Sequence, residues 1–445
     1  MRGLRSFAGL LVILLALGAY LYFVESKRTP GDDAEKKDKV FAVEADKIDE
    51  VTIRSQAGDT TTLRRKGTEW AIVQPPAAAD PAEVSGVTSN LASVQIQRLL
   101  DENPADLKQY GLDAPKVEVR FKSGGQEHRL LLGDKTPSGT DMYAKVGDQK
   151  KVFTVSSFLE STFNRGTFDL RDKTVLKVDA EKIDSMEIVM PVRAVRFGKT
   201  SAEWQMMAPA AGRADSSAIA GLASRFSGAQ MKALTESAAT DIKQYGLDPA
   251  AATVRLGAGS SQATLLIGRS AGEDTVFAKD AARPEVFTIE ASLLDDVKKD
   301  PSEYRQKDLF DARAFNATRL EITRAAQTTG FEKASVKNKD GQDEAKWRQV
   351  APAARDVDTA QVEALIAAIT AARAVSFVDS TTATGLDAPE IAVAIKFDGP
   401  GTKEERGSFA RNGADAYAAR AGDPGVAKID PAVIDAIVKA FEAVK

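Results

Sequence analysis

The sequence predicts an α+β chain of three tandem homologous domains, each an antiparallel β-sheet with one main helix, behind an N-terminal transmembrane helix. Three observations carry this expectation. A turn written Tyr110-Gly111-Leu112-Asp113-Ala114-Pro115 returns as Tyr245-Gly246-Leu247-Asp248-Pro249, and without its tyrosine as Gly385-Leu386-Asp387-Ala388-Pro389. The intervals, 135 residues from Gly111 to Gly246 and 139 from Gly246 to Gly385, are domain lengths rather than solenoid units. The chain has three tryptophans, Trp70, Trp204 and Trp347, and each stands five residues before a proline (Pro75, Pro209 and Pro352). Between these landmarks, short alternating apolar segments recur in the same order.

Taken in order, Arg2 and Arg5 precede an uncharged stretch from Ser6 to Val24. Its helical length, about 28 Å, matches a bilayer core of about 30 Å. An uncleaved anchor over 6–24 is the favoured reading, because no small-x-small cleavage site follows the apolar run; a cleaved signal peptide is the competing one. Residues 1–24 are therefore expected to form a cytoplasmic tip and an inner-membrane anchor. The bulk is placed outside the cytoplasm, in the periplasm. Residues 25–39 hold nothing able to seed a core and read as a disordered tether spanning about 20 Å.

The first domain is expected over 40–172. Val51-Thr52-Ile53 and Thr60-Thr61-Thr62-Leu63 flank the turn Ala57-Gly58-Asp59, and Trp70-Ala71-Ile72-Val73 is a third strand. Asp80 caps a helix with Pro81 at its first position, and Val84, Val87, Leu91 and Val94 fall on one face of it. In the turn at Gly111, glycine supplies the left-handed residue that ends a helical turn, Leu112 folds back, Asp113 bonds forward and Pro115 blocks continuation. Val117 to Phe121 and Leu130 to Leu132 form a hairpin about Ser123-Gly124-Gly125. Met142 to Val146 and Val152 to Val155 extend the sheet, and Ser156 to Phe163 closes the unit as a short helix.

The second copy, 173–307, repeats this order, with Asp215 as cap and Ile219, Leu222 and Phe226 on the helix face. The third, 308–445, is degenerate: Asp358 caps a helix bearing Val362, Leu365 and Ile369, while Gly399-Pro400-Gly401 and Glu404-Glu405-Arg406 replace the apolar hairpin. The closing stretches Asp169 to Lys173 and Tyr304 to Leu309 read as solvated linkers, with inter-domain salt bridging as the alternative.

Composition narrows the chemistry. There is no cysteine, which removes disulfides, thiolate metal sites and cysteine-linked lipid. The single histidine, His128, lies in an alternating strand and reads as an exposed strand residue. A net charge of −4 with both signs interspersed announces no nucleic-acid surface. No catalytic, cofactor-binding or metal-ligating set emerges, so cofactors are expected to be none. The repeated residues Trp70, Pro75, Gly111, Leu112, Asp113, Trp204, Pro209, Gly246, Leu247, Asp248, Trp347, Pro352, Gly385, Leu386 and Asp387 are read as structural. Each tryptophan is expected to pack beneath the helix that follows it.

The anchor, Trp70 with Pro75, Tyr110 to Pro115, Leu131-Leu132-Gly133-Asp134 and Val152-Phe153-Thr154-Val155 together resemble a bacterial family known as domain of unknown function 4340. The resemblance covers nearly all of the chain beyond Lys39. It implies a companion of gliding-motility-type ABC transporter components and supplies no catalytic residues. The functional expectation is a non-enzymatic accessory protein serving an ABC-type transporter or envelope assembly, with permease or auxiliary subunits as partners. The alternative is a protein binding or processing envelope glycan through carboxylates and the repeated tryptophans.

Overall fold

The structure is a computed structural model, and it describes residues 38–74, 76–200, 203–272, 274–337, 342–378, 383–399 and 401–445. The expected anchor, most of the tether, and Pro75 lie outside the described residues. Among those described, no helix is long and apolar enough to cross a membrane.

Three nine-stranded antiparallel sheets follow one another along the chain. In the first, β1 (Ile48–Arg54), β2 (Thr60–Lys66), β3 (Glu69–Ile72) and β4 (Ala77–Ala78) run outward to one edge. β5 (Arg98–Asp101) lies at the far edge, and β6 (Val117–Ser123), β7 (Gln126–Lys135), β8 (Asp141–Val146) and β9 (Val152–Ser156) fill the space between, in the order β4-β3-β2-β1-β6-β7-β8-β9-β5. The helix Pro81–Ser93 joins β4 to β5, so it links opposite edges of the sheet. Its Val84, Val87 and Leu91 meet the inward residues Ile48, Val51, Ile53, Val117, Val119 and Phe121 in one core. Asp80 caps it as expected, its Oδ1 accepting the N–H groups of Ala82 (2.8 Å) and Glu83 (3.2 Å).

The other face of that sheet carries a network of charged side chains. Glu118, between two inward valines, turns the opposite way and accepts from Arg120 (2.6 Å), Arg129 (2.8 Å) and Arg54 (3.3 Å). Its carboxylate is thereby satisfied despite being buried.

The second and third sheets repeat this strand order. Their helices, Ser216–Ser227 and Thr359–Thr370, are capped by Asp215 and Asp358 and bury the predicted faces. The altered hairpin of the third copy does not alter its sheet: Ile391–Gly399 and Gly401–Asn412 pair without a break. Two features of the sequence expectation change. The molecule is mostly β, because two short edge strands per copy carried no alternation to betray them. The third copy has two substantial helices, since its closing helix runs Pro431–Val444 whereas the corresponding ones are Phe158–Phe163 and Ser292–Lys298. Its Ile434, Ile437 and Phe441 join the third core.

The described chain divides into two compact units, one ending at Asp172 and the other running Lys173–Lys445. The second and third sheets therefore share a unit.

One hairpin is built against its residues' preferences. Ala325 and Ala326 link Ala317–Arg324 to Gln327–Lys337 with φ of 50° and 63°. A two-residue turn with both φ positive favours Asn-Gly, and an alanine there costs about 1–2 kcal/mol. Ala325→Asn with Ala326→Gly is expected to stabilise the protein by about 1 kcal/mol, read as a higher thermal or urea midpoint.

Candidate functional site

The repeated turn is a packing device. Lys108–Tyr110 form a single helical turn of the 3-10 type, and Gly111 ends it with φ 64°. Leu112 is buried against Leu131 and Val152, with Leu107, Tyr110 and Tyr143 around it. The forward-bonding aspartate is not Asp113, which is exposed, but Asp106, whose Oδ1 accepts the Lys108 N–H at 2.9 Å. Asp241 does the same for Lys243 at 3.0 Å, and Asp248 and Asp387 are exposed too. The three aspartates do not come together.

The turn also explains the glycine that follows the hairpin leucines. A Cβ on Gly133 would lie 2.1 Å from the Tyr110 carbonyl oxygen, and one on Gly268 would lie 2.2 Å from that of Tyr245. The turn rests directly on the strand. In the third copy Leu386 is only half-buried, and Ala410 occupies the position that follows the paired strand residue where the other copies have glycine.

Trp204 and Trp347 are buried, at 3% and 1% exposure, and Trp70 is half-buried against the first core. Each tryptophan pairs across strands with a cation that lies over its ring. Arg65 sits 5.1 Å from Trp70, Lys199 5.1 Å from Trp204 and Lys333 5.4 Å from Trp347. The backbone N–H groups of Trp204 and Trp347 donate to Ser216 Oγ (3.3 Å) and Thr359 Oγ1 (3.2 Å), the first residues of the following helices. Pro209 and Pro352 each follow a cis bond and are exposed. His128 is not an exposed strand residue: it is half-buried, stacks on Phe121 at 4.9 Å and meets Phe41 edge-on.

Sequence reading missed the densest charge cluster, which joins the second and third copies. Glu405, 4% exposed, accepts the N–H groups of Asp311 (3.0 Å) and Ala312 (3.0 Å) and the Arg420 guanidinium (2.8 Å). Arg420 also reaches Asp423 at 3.3 Å. From the second copy, Arg213 bridges to Asp311 at 2.5 Å and donates to the carbonyls of Asp308 and Leu309. Arg305 lies 3.8 Å over Phe377 and donates to the Pro424 carbonyl at 3.2 Å.

The closing stretch Tyr304 to Leu309 is thus no solvated linker; Tyr304, Arg305 and Leu309 are buried. Burial pushes the Tyr304 phenol up to about 12, and its hydroxyl donates to the Asp296 carbonyl. Leu170 and Arg171, in the corresponding stretch of the first copy, are buried as well.

The second copy shows what is special about this joint. There the pair at the equivalent positions has the opposite polarity: Asp280 accepts from Arg283 at 3.1 Å, whereas Arg420 donates to Asp423. Arg283 donates to the carbonyls of Thr174 and Val175 within its own copy. In the third copy the corresponding carbonyls are held from outside, by Arg213. Burial raises the Asp423 carboxyl above its usual range, with Arg420 and Arg213 opposing that shift.

A hollow of about 410 Å³ opens on the third sheet, with Glu321, Arg406, Ser408 and Arg420 around small residues such as Ala392 and Ala394. Among the described residues, no group of three or more His, Asp or Glu side chains gathers as a metal site would require.

The family model described as "Domain of unknown function (DUF4340)" matches residues 70–202 and 204–389, well over half of the chain. The chain belongs to this family. Each matched segment opens at or beside a tryptophan of the repeat and cuts across the sheets. A comparison with curated proteins finds no match.

Two outcomes follow from these contacts. Gly133→Ala is expected to lower stability by about 3 kcal/mol in urea unfolding, because the added methyl overlaps a carbonyl that the turn cannot withdraw. Burial raises the Glu118 carboxyl, but the Arg129 and Arg120 guanidinium groups outweigh it and hold the group below its ordinary 4.5. Stability from Glu118 is therefore present above the unfolded value and lost as pH falls through the depressed folded one. Glu118→Gln should cost about 2 kcal/mol near pH 7 and progressively less on acidification below pH ~4.

Proposed function

We propose that this member of the DUF4340 family is a non-enzymatic interaction protein that serves an ABC-type transporter or an envelope assembly. In this reading residues 6–24 hold it at the inner membrane, and the three sheets stand on the extracytoplasmic side. The observation that carries the reading is how the fold uses its buried charges. Glu118 is committed to three arginines, and Glu405 to two backbone N–H groups and Arg420. Asp296 is held by Arg225 at 2.7 Å and Lys299 at 2.9 Å. A carboxylate so engaged stabilises a frame; an acid–base catalyst needs one poised toward substrate. Three copies of one sheet in series, differing in their surface residues, suit a protein that offers separate faces to partners.

The glycan reading loses support because Trp204 and Trp347 present no exposed ring on which a sugar could stack. The test is crosslinking of the full chain in intact cells, with identification of what it captures. Recovery of a permease or auxiliary transporter subunit is the expected result. Recovery of peptidoglycan alone, or of no transport or assembly component, would sink the proposal.

A further inference from the structure

The outermost strand of the first sheet differs from its two counterparts. β5 reads Arg98-Leu99-Leu100-Asp101, and its leucines are 45% and 37% exposed. Its register against β9 slips between Leu99 and Asp101, which makes Leu100 the extra residue and leaves both leucines on the outside. Asp101 accepts the Asn103 N–H at 2.9 Å, which fixes the carboxylate at the strand's end, and Arg98 is exposed at the other end.

In the second copy this edge reads Ala233-Leu234-Thr235-Glu236, and Glu236 is taken by the Tyr245 hydroxyl at 2.9 Å. In the third it reads Ser376-Phe377-Val378, and Phe377 lies beneath Arg305. Neither counterpart leaves two leucines outside. Sheet edges are normally blunted against association; the second copy shares the bulge, but here it holds Leu100, and two terminal charges flank a pair of leucines left exposed among the described residues.

The order Arg-Leu-Leu-Asp is complementary to itself when reversed. About a two-fold axis between Leu99 and Leu100, each Arg98 would meet the other copy's Asp101, and each Leu99 the other copy's Leu100. We propose that β5 is the contact of a symmetric homodimer, with a second copy of this chain as its occupant. The same patch on both subunits is what an isologous interface requires. Four residues a side bury far less than the roughly 1,200 Å² of a stable complex, so the association is weak and concentration-dependent. The proposal is independent of the transporter reading.

Charge reversal tests it on the full chain, by sedimentation velocity over a wide concentration range with circular dichroism to confirm folding. Arg98→Asp places Asp opposite Asp, and Asp101→Arg places Arg opposite Arg, each twice per dimer. Each single variant is expected to weaken dimerisation roughly tenfold or more, and the double variant R98D/D101R to restore it. Leu100→Lys should abolish it. Because the chain has no cysteine, Arg98→Cys and Asp101→Cys chains mixed under oxidation should trap a mixed disulfide faster than either alone. A monomer at every concentration overturns the proposal. So does a dimer whose strength is indifferent to these charges, or one that the double reversal fails to restore.

Discussion

One-sided burial is the constraint on which the rest of this molecule depends. A nine-stranded sheet has two broad faces, and each copy brings its core-covering helix to only one of them. The covered face must be apolar at every second residue, as Val117, Val119 and Phe121 are on β6. A slip of one residue would carry that set into water and Glu118 into the core, so register is strongly specified. The opposite face is divided between charge, as in the arginines around Glu118, and the apolar seat that Leu131 and Val152 offer to Leu112. Because the helix leaves one edge strand and delivers the chain to the opposite edge, its start must be anchored well. The aspartate cap, the tryptophan beneath and the serine or threonine bond to the tryptophan backbone all serve that anchoring.

The second constraint is a close approach of backbone to backbone. The turn ending at Gly111 sits with the Tyr110 carbonyl against Gly133, where no side chain fits. This accounts for two motifs that look unrelated in the sequence, since one supplies the carbonyl and the other the space for it. The third copy has drifted at both sites, losing the tyrosine and carrying alanine after the paired strand residue, and its Leu386 is correspondingly less buried.

The copies are alike in their apolar residues and unlike in their charges. Reversing the polarity of the pair at 280 and 283 into the pair at 420 and 423 frees the third copy to take Arg213 from its neighbour. A guanidinium that bridges a carboxylate and caps two carbonyls is a directional fastener, and it belongs to the joint within the Lys173–Lys445 unit. Likewise Arg98 stands at the first edge where the second copy has Ala233, although Glu236 keeps a carboxylate at the position of Asp101. Much of what is particular to one copy is therefore written in the polar residues, where the fold leaves freedom.

By itself the sequence determined the repeat, the helix caps at Asp80, Asp215 and Asp358, the left-handed glycines and the apolar helix faces. These are local effects, set by residues a few positions apart, and their periodicity is visible along the chain. Only the tertiary structure decided where the edge strands pair, because strands of two to four residues carry no period to read. It decided that Asp106 rather than Asp113 closes the turn, that His128 stacks on Phe121, and that Tyr304 to Leu309 is buried. It also decided that Arg213, Asp311, Glu405 and Arg420 meet. Apart from Glu405 and Arg420, which are 15 positions apart, those residues lie some 90 to 210 positions from one another, and the energy of a buried ion pair depends on distance and desolvation in space, which no spacing in sequence records.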